Sequence, residues 1–230
     1  SENCRGNRPL ACVCAGGDAA GAGLDFENRL EESQEVNVFT FRHFFNGAGV
    51  GVGDVDGDGR PDVFLTANQG PNRLFLNRTE PGGPIQFEDV TEAAGVAGTR
   101  AWSTGVSVAD VDGDGDIDVA ATSWRNPGRV AWFENNGDPK GSWTRHLLKE
   151  NWRSANQVII ADLNGDGDDD LVLGVNYDGG TTTDLNAIIY SGGAGGWSER
   201  RLRKIPAPFC TAVAVGEFNG DGRLDLAFLC

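Results

Sequence analysis

Fourteen carboxylates of this 230-residue chain fall at fixed places in four short acidic loops, a spacing suited to binding a hard divalent cation. The loops read Asp54-Val-Asp-Gly-Asp-Gly-Arg-Pro-Asp62, Asp110-Val-Asp-Gly-Asp-Gly-Asp-Ile-Asp118, Asp162-Leu-Asn-Gly-Asp-Gly-Asp-Asp-Asp170 and Glu217-Phe-Asn-Gly-Asp-Gly-Arg-Leu-Asp225. Oxygen-bearing side chains stand at loop positions one, three, five and nine, with glycine at four and six. Calcium takes several carboxylate and carbonyl oxygens at about 2.3–2.6 Å, and the backbone that wraps it turns sharply at glycine. Position seven would ligate through its carbonyl, which leaves its side chain free to be Arg60, Asp116, Asp168 or Arg223.

The flanking residues exclude a helix-loop-helix site. Such a site needs a bidentate Glu at position twelve, and here that place holds Leu65, Ala121, Leu173 and Phe228. Ahead of each loop, apolar residues alternate: Val50 and Val52, Val106 and Val108, Val158 and Ile160, Val213 and Val215. Behind each comes a short apolar run, as in Asp62-Val-Phe-Leu and Asp170-Leu-Val-Leu. Alternation and short runs bounded by Gly and Asp are strand signals, so each loop is expected to join two antiparallel strands.

Loop starts at 54, 110, 162 and 217 lie 56, 52 and 55 residues apart. Strand-only repeats of this period point to propeller blades. A third strand is expected at Arg73–Asn77, Arg129–Asn135 and Asn186–Ser191, and a fourth at Gln86–Val90, Trp143–Leu148 and Trp197–Leu202. Glu35–Phe45 alternates and reads as the outer strand of a preceding blade. Residues 1–34, rich in Gly, Ala and Cys, read as an arm ahead of repeats spanning 35–230. The predicted fold is all-β, a β-propeller of four-stranded antiparallel blades, partial at about four. Either the first outer strand pairs with the last half-blade, or further chain or another subunit completes the ring.

The formal net charge of −15 is mostly loop chemistry, because four Ca²⁺ would add +8 and leave about −7. Such a surface argues against nucleic acid as a partner. No apolar stretch reaches the roughly 18–20 residues of a membrane span. The chain contains no methionine, so it is expected either to have lost a targeting peptide or to be a piece of a longer protein. Cys210 and Cys230 bracket the fourth hairpin and suit a cross-strand disulfide worth ~3 kcal/mol; unpaired buried thiols are the alternative. Cys4, Cys12 and Cys14 leave one thiol over. Cysteine pairs, calcium loops and the sequon at Asn77 together favour a secreted or otherwise oxidising, calcium-rich location.

The loops, together with Asn72-Arg-Leu-Phe-Leu-Asn77 and Phe87-Glu-Asp-Val-Thr-Glu-Ala-Ala-Gly-Val96, resemble FG-GAP/VCBS repeats, the calcium-loop blades of integrin α-subunit propellers and of many secreted proteins. The resemblance covers roughly residues 36–230. It implies up to four Ca²⁺, held by Asp54, Asp56, Asp58, Arg60 (carbonyl) and Asp62; by Asp110, Asp112, Asp114, Asp116 (carbonyl) and Asp118; and by Asp162, Asn164, Asp166, Asp168 (carbonyl) and Asp170. Glu217, Asn219, Asp221, Arg223 (carbonyl) and Asp225 form the fourth set, which departs from the pattern at Glu217 and is expected to be weakest. Family members usually carry seven blades, more than this chain supplies.

If the loops share one rim, the other rim collects Arg100, Trp102, Trp124, Arg125, Trp152 and Arg153, with Tyr177, Arg203, Lys204 and Phe209. That rim is a candidate surface for an acidic side chain or anionic glycan. Equally, Trp102, Trp152 and Phe209 suit packing caps ahead of the inner strands. No nucleophile elbow, zinc cluster or phosphate loop occurs, and His43 and His146 read as strand residues. The expected function is a non-catalytic interaction or adhesion module, or a peripheral subunit of a larger assembly. The alternatives are a polysaccharide lyase-like enzyme, which would gather Arg100, Arg125 and Tyr177 around a channel, and a lectin.

Overall fold

The computed structural model describes residues 21–41, 44–45, 47–98, 102–124, 128–150, 155–175, 186–193, 196–197, 202–206 and 212–229. The strands are β1 (Val50–Gly53), β2 (Asp62–Leu65), β3 (Arg73–Asn77), β4 (Phe87–Asp89), β5 (Ser103–Ala109), β6 (Asp118–Ser123), β7 (Arg129–Glu134), β8 (Thr144–Glu150), β9 (Ala155–Ala161), β10 (Asp170–Val175), β11 (Asn186–Tyr190), β12 (Leu202–Pro206), β13 (Ala212–Gly216) and β14 (Asp225–Leu229). They form three four-stranded antiparallel meanders, β1–β4, β5–β8 and β9–β12, and a two-stranded pair, β13–β14. The chain is therefore all-β, a succession of blades matching part of a propeller; among the described residues no sheet closes on itself.

Because side chains alternate across a strand, the second and third sheets bury both faces against neighbouring sheets, and the first sheet and the last pair each pack one face on the next sheet. Phe64, Leu74 and Leu76 of the first sheet meet Val119, Phe133 and Trp143 of the second. Ala120, Val130 and Trp132 of the second meet Leu171, Leu173 and Tyr190 of the third. Val172 and Ile189 of the third meet Val213, with Leu226 and Phe228, of the last pair. The inner strands β1, β5, β9 and β13 run side by side. On β1 the glycines, not the valines, face β5: a Cβ on Gly51 would lie 3.1 Å from side-chain atoms of Val106 and Val108. Val50 and Val52 accordingly remain 63% and 55% exposed.

Three elements differ from expectation. Glu35–Phe45 is not a strand; its described residues form bends and turns. Asn37 Oδ1 accepts the Phe39 and Thr40 amides and Ser33 Oγ accepts the Val36 amide, so side chains satisfy backbone that a strand would have paired. The fourth strand of the third sheet begins at Leu202 rather than Trp197. Trp197 is instead buried, its indole N–H donating to the Asp169 carbonyl at 2.7 Å. A short helix, α1 (Thr91–Ala94), follows β4 and ends at Gly95, whose φ of 71° permits the left-handed cap. Part of the arm is seated on the first sheet, with Leu24 and Phe26 packed on Leu65, Phe75 and Phe87.

Candidate metal centres

Each acidic loop links the first two strands of its sheet as a hairpin. Glycines at positions four and six take positive φ in all four, from 69° at Gly57 to 98° at Gly115, which other residues adopt only at a cost. The first carboxylate then closes the loop over its own backbone. Asp54 accepts the Asp58 and Gly59 amides at 3.0 and 2.8 Å. Asp110 accepts those of Gly113, Asp114 and Gly115, and Asp162 those of Gly165, Asp166 and Gly167. Asp58, Asp114, Asp166 and Asp221 at position five each accept the amide two residues on.

Position nine is the anchor. Asp62, Asp118 and Asp170 begin β2, β6 and β10 and are buried. One oxygen of each accepts the position-two amide: Val55 at 2.8 Å, Val111 at 2.9 Å and Leu163 at 3.1 Å. The other accepts an amide at or just beyond the end of the third strand: Asn77 at 2.7 Å, Asn135 at 2.8 Å and Gly192 at 2.8 Å. Asn135, also buried, donates from Nδ2 to the Val55 carbonyl at 2.8 Å and so ties the second sheet to the first loop. Burial pushes all three carboxyls up despite those amides, Asp118 to about 7, and the neighbouring loop carboxylates push the same way. Asp112 is raised by burial and then by the charge of Asp114, and Asp169 by burial and then by Asp162.

The donor sets fit a hard cation. One carboxylate oxygen from each of Asp54, Asp56 and Asp58 lies within 4.8 Å of the others, as do oxygens of Asp110, Asp112 and Asp118. Among the described residues, the third and fourth loops bring no three carboxylates together in this way. The third has Asn164 at position three, and in the fourth Glu217 turns back to accept the Asn219 and Gly220 amides. The first loop also holds cations of its own. Arg60 pairs with Asp58, and Arg78 reaches Asp56 at 2.6 Å and Asp58 at 3.3 Å. Sequence reading missed Arg78 and Asn135, although each sits at the end of a third strand, one turn from a loop.

On the other rim, Trp102 and Trp124 are each 4% exposed, packed with Phe44 against Leu30, Val36 and Phe41. The two tryptophans are thus buried inside the chain, as packing caps, and are not presented to a partner. Arg100, Arg125, Trp152 and Arg153 lie outside the described residues, as do Tyr177, Phe209, His43 and all five cysteines, including Cys210 and Cys230. His146 stands on β8, 2.5 Å from Glu134 and stacked on Trp132 with ring centroids 4.3 Å apart. No helix among the described residues is long and apolar enough to cross a membrane.

The profile of the family described as FG-GAP-like repeat matches three overlapping stretches, residues 54–121, 110–173 and 162–228. The chain is 28% identical to cartilage acidic protein 1 of Xenopus tropicalis over 199 residues, covering 80% of this chain and 28% of that protein. It is 34% identical to the Mus musculus protein of that name over 198 residues, covering 78% and 28%. Drosophila melanogaster integrin alpha-PS2 is 27% identical over 148 residues, which is 56% of this chain and 10% of the integrin. Among solved structures, the V. cholerae biofilm matrix protein Bap1 aligns with a TM-score of 0.39 and 21% identity over 79% of this chain and 28% of that one. The chain thus spans between a tenth and three tenths of the length of these relatives.

Proposed function

This chain belongs to the FG-GAP-like repeat family, and from that premise we propose that it is a calcium-clamped, non-catalytic interaction module. The observation that carries the calcium reading is the convergence of three carboxylates in each of the first two loops, closed over backbone amides by the first residue of each. Calcium would be held by the position one, three, five and nine side chains with the position-seven carbonyl, at up to four sites. When bound it supplies charge neutralisation, and the chain's own residues do the rest. Asp62, Asp118 and Asp170 fasten loop to sheet, and the sheets stack through their apolar faces. Native mass spectrometry in millimolar calcium and in chelator tests this: up to four ions are expected, and none bound would overturn it.

For the partner we propose an anionic group, on an acidic protein segment or an anionic glycan, outside the cytosol. What supports it is a small cleft between the first and second sheets, of about 40 Å³, where Arg129 and Arg145 stand with Asn72, Ser103 and Ser123 beside the apolar Ala131 and Phe133. Burial, and then the neighbouring Arg129 charge, hold the Arg145 guanidinium below the usual arginine range, with Glu150, paired to Arg129 at 3.4 Å, acting the other way. Arg145→Ala is expected to weaken retention on a sulfated or carboxylated glycan column at unchanged melting temperature; unchanged retention removes this cleft as the site.

A further inference from the structure

We propose that the first acidic loop carries its own counter-cations, Arg60 and Arg78, and keeps its closed shape without a divalent ion, whereas the second loop does not. Arg78 follows β3 and spans three carboxylates. Its Nη1 lies 2.6 Å from Asp56 Oδ2 and 3.3 Å from Asp58 Oδ2, and its Nε 3.0 Å from Glu88 Oε2. Glu88 on β4 is held from its other oxygen by Lys140 of the second repeat at 2.6 Å. The guanidinium and the loop use different oxygens of Asp56, since Oδ1 accepts the Asp58 amide. Pairing with Arg78 therefore leaves the closed backbone intact while cancelling the repulsion that would open it.

The second and third loops lack this device, whereas the fourth has Arg223 where the first has Arg60. Aligned on Asn77 and Asn135, Arg78 corresponds to Asn136, and Arg60 corresponds to Asp116. The second loop thus places five carboxylates, Asp110, Asp112, Asp114, Asp116 and Asp118, in nine residues. Among the described residues no lysine or arginine pairs with any of them. In the third loop the corresponding residues are Asp168 and Gly193. In a loop with that charge and no internal cation, the amide bonds to Asp110 work against carboxylate repulsion that an external cation relieves. Arg78 is accordingly a positioning residue for the first loop, and dependence on the divalent ion is lower in the first loop than in the second.

This proposal rests on the calcium reading, and amide hydrogen exchange on the whole chain separates the two. The reporters are the Asp58, Gly59 and Arg60 amides in the first loop and the Gly113, Asp114 and Gly115 amides in the second, all bonded to loop carboxylates. On moving from calcium to chelator, exchange in the second loop is expected to rise about tenfold more than in the first. Arg78→Gln makes the first loop as sensitive as the second. Arg73→Gln, which removes the same charge from β3 where Arg73 pairs with Asp89 at 3.2 Å, leaves the first loop insensitive. Equal rises in both wild-type loops, or an Arg78→Gln protein that behaves as wild type, overturns the proposal alone. If neither wild-type loop responds to chelator, the calcium reading has failed and this proposal with it.

Discussion

Replacing Asp118 by alanine separates the two roles its carboxylate plays. The side chain is fully buried, and its oxygens take the Val111 and Asn135 amides at 2.9 and 2.8 Å. Alanine leaves both buried donors without an acceptor, at a cost of about 1–3 kcal/mol each. Against this stands the relief of a carboxylate whose pKa is pushed up to about 7 by burial. At neutral pH that relief is about 4 kcal/mol, which offsets most of the cost of the two donors, so a net loss of no more than about 2 kcal/mol in chelator follows. In calcium the loss grows, because a site filled at a hundred times its dissociation constant adds ~2.7 kcal/mol that the variant forgoes. Urea denaturation followed by the fluorescence of the six tryptophans, in calcium and in chelator, measures both losses. Asp112→Asn serves as companion, since Asp112 accepts only the long 3.3 Å Asp114 amide. It is expected to lose the calcium increment with little change in chelator. If calcium stabilises Asp118→Ala as much as wild type, position nine is not a ligand and the reasoning fails.

Acidity moves the protein in opposite directions with and without the ion. Asp118 binds a proton more readily folded than unfolded, so in chelator its contribution to stability rises as pH falls from about 7 toward 4; in calcium, protons compete for the same oxygen and the apparent affinity drops over that range. Melting temperatures across pH in both buffers check the two signs. Gly115→Ala meets nothing within 4 Å but must keep a φ of 98°, so it should lose about 1–2 kcal/mol in chemical denaturation from backbone strain alone. Asn135→Ala removes the Nδ2 bonds to the Val55 and Ile117 carbonyls and is expected to cost about 1–3 kcal/mol, read from the same denaturation curves. Paired Arg125→Ala and Arg153→Ala should weaken binding to an anionic partner without changing calcium-dependent melting; unchanged binding would exclude those arginines.

The hairpins were legible because Asp-Gly pairs set their ends and period-two apolar residues set their strands, two local signals that agree. Where only one signal was present, the reading went astray. Glu35–Phe45 alternates like a strand, yet Asn37, Ser33 and Thr40 bond their own backbone, and Phe41 and Phe44 turn inward to cover Trp102. Trp197 looks like the start of a strand beside Trp143, but its N–H needed a partner and found the Asp169 carbonyl, shifting the strand onward. Trp102 and Trp124 could be assigned to a rim from topology, but their burial depends on a segment forty and more residues away in sequence, which no local pattern reveals.

The same long-range dependence explains why the acidic loops are more than ligand sets. Position nine could be named as a ligand from spacing, but its two amide bonds come from position two and from the third strand, so one carboxylate joins loop, second strand and third strand at one point. In the second repeat Asn135 extends that point to the first loop through the Val55 carbonyl. A cation bound at Asp110, Asp112 and Asp118 would therefore bear on sheet stacking as directly as on the loop, through groups already bonded in the fold. Where Arg78 stands in, the link runs instead through Glu88 to Lys140, again from the first repeat to the second. Both routes join the same pair of sheets, so charge balance at the loops and blade-to-blade adhesion are one quantity, and removing either Asn135 or Lys140 should loosen the first sheet against the second while leaving the third against the second unchanged.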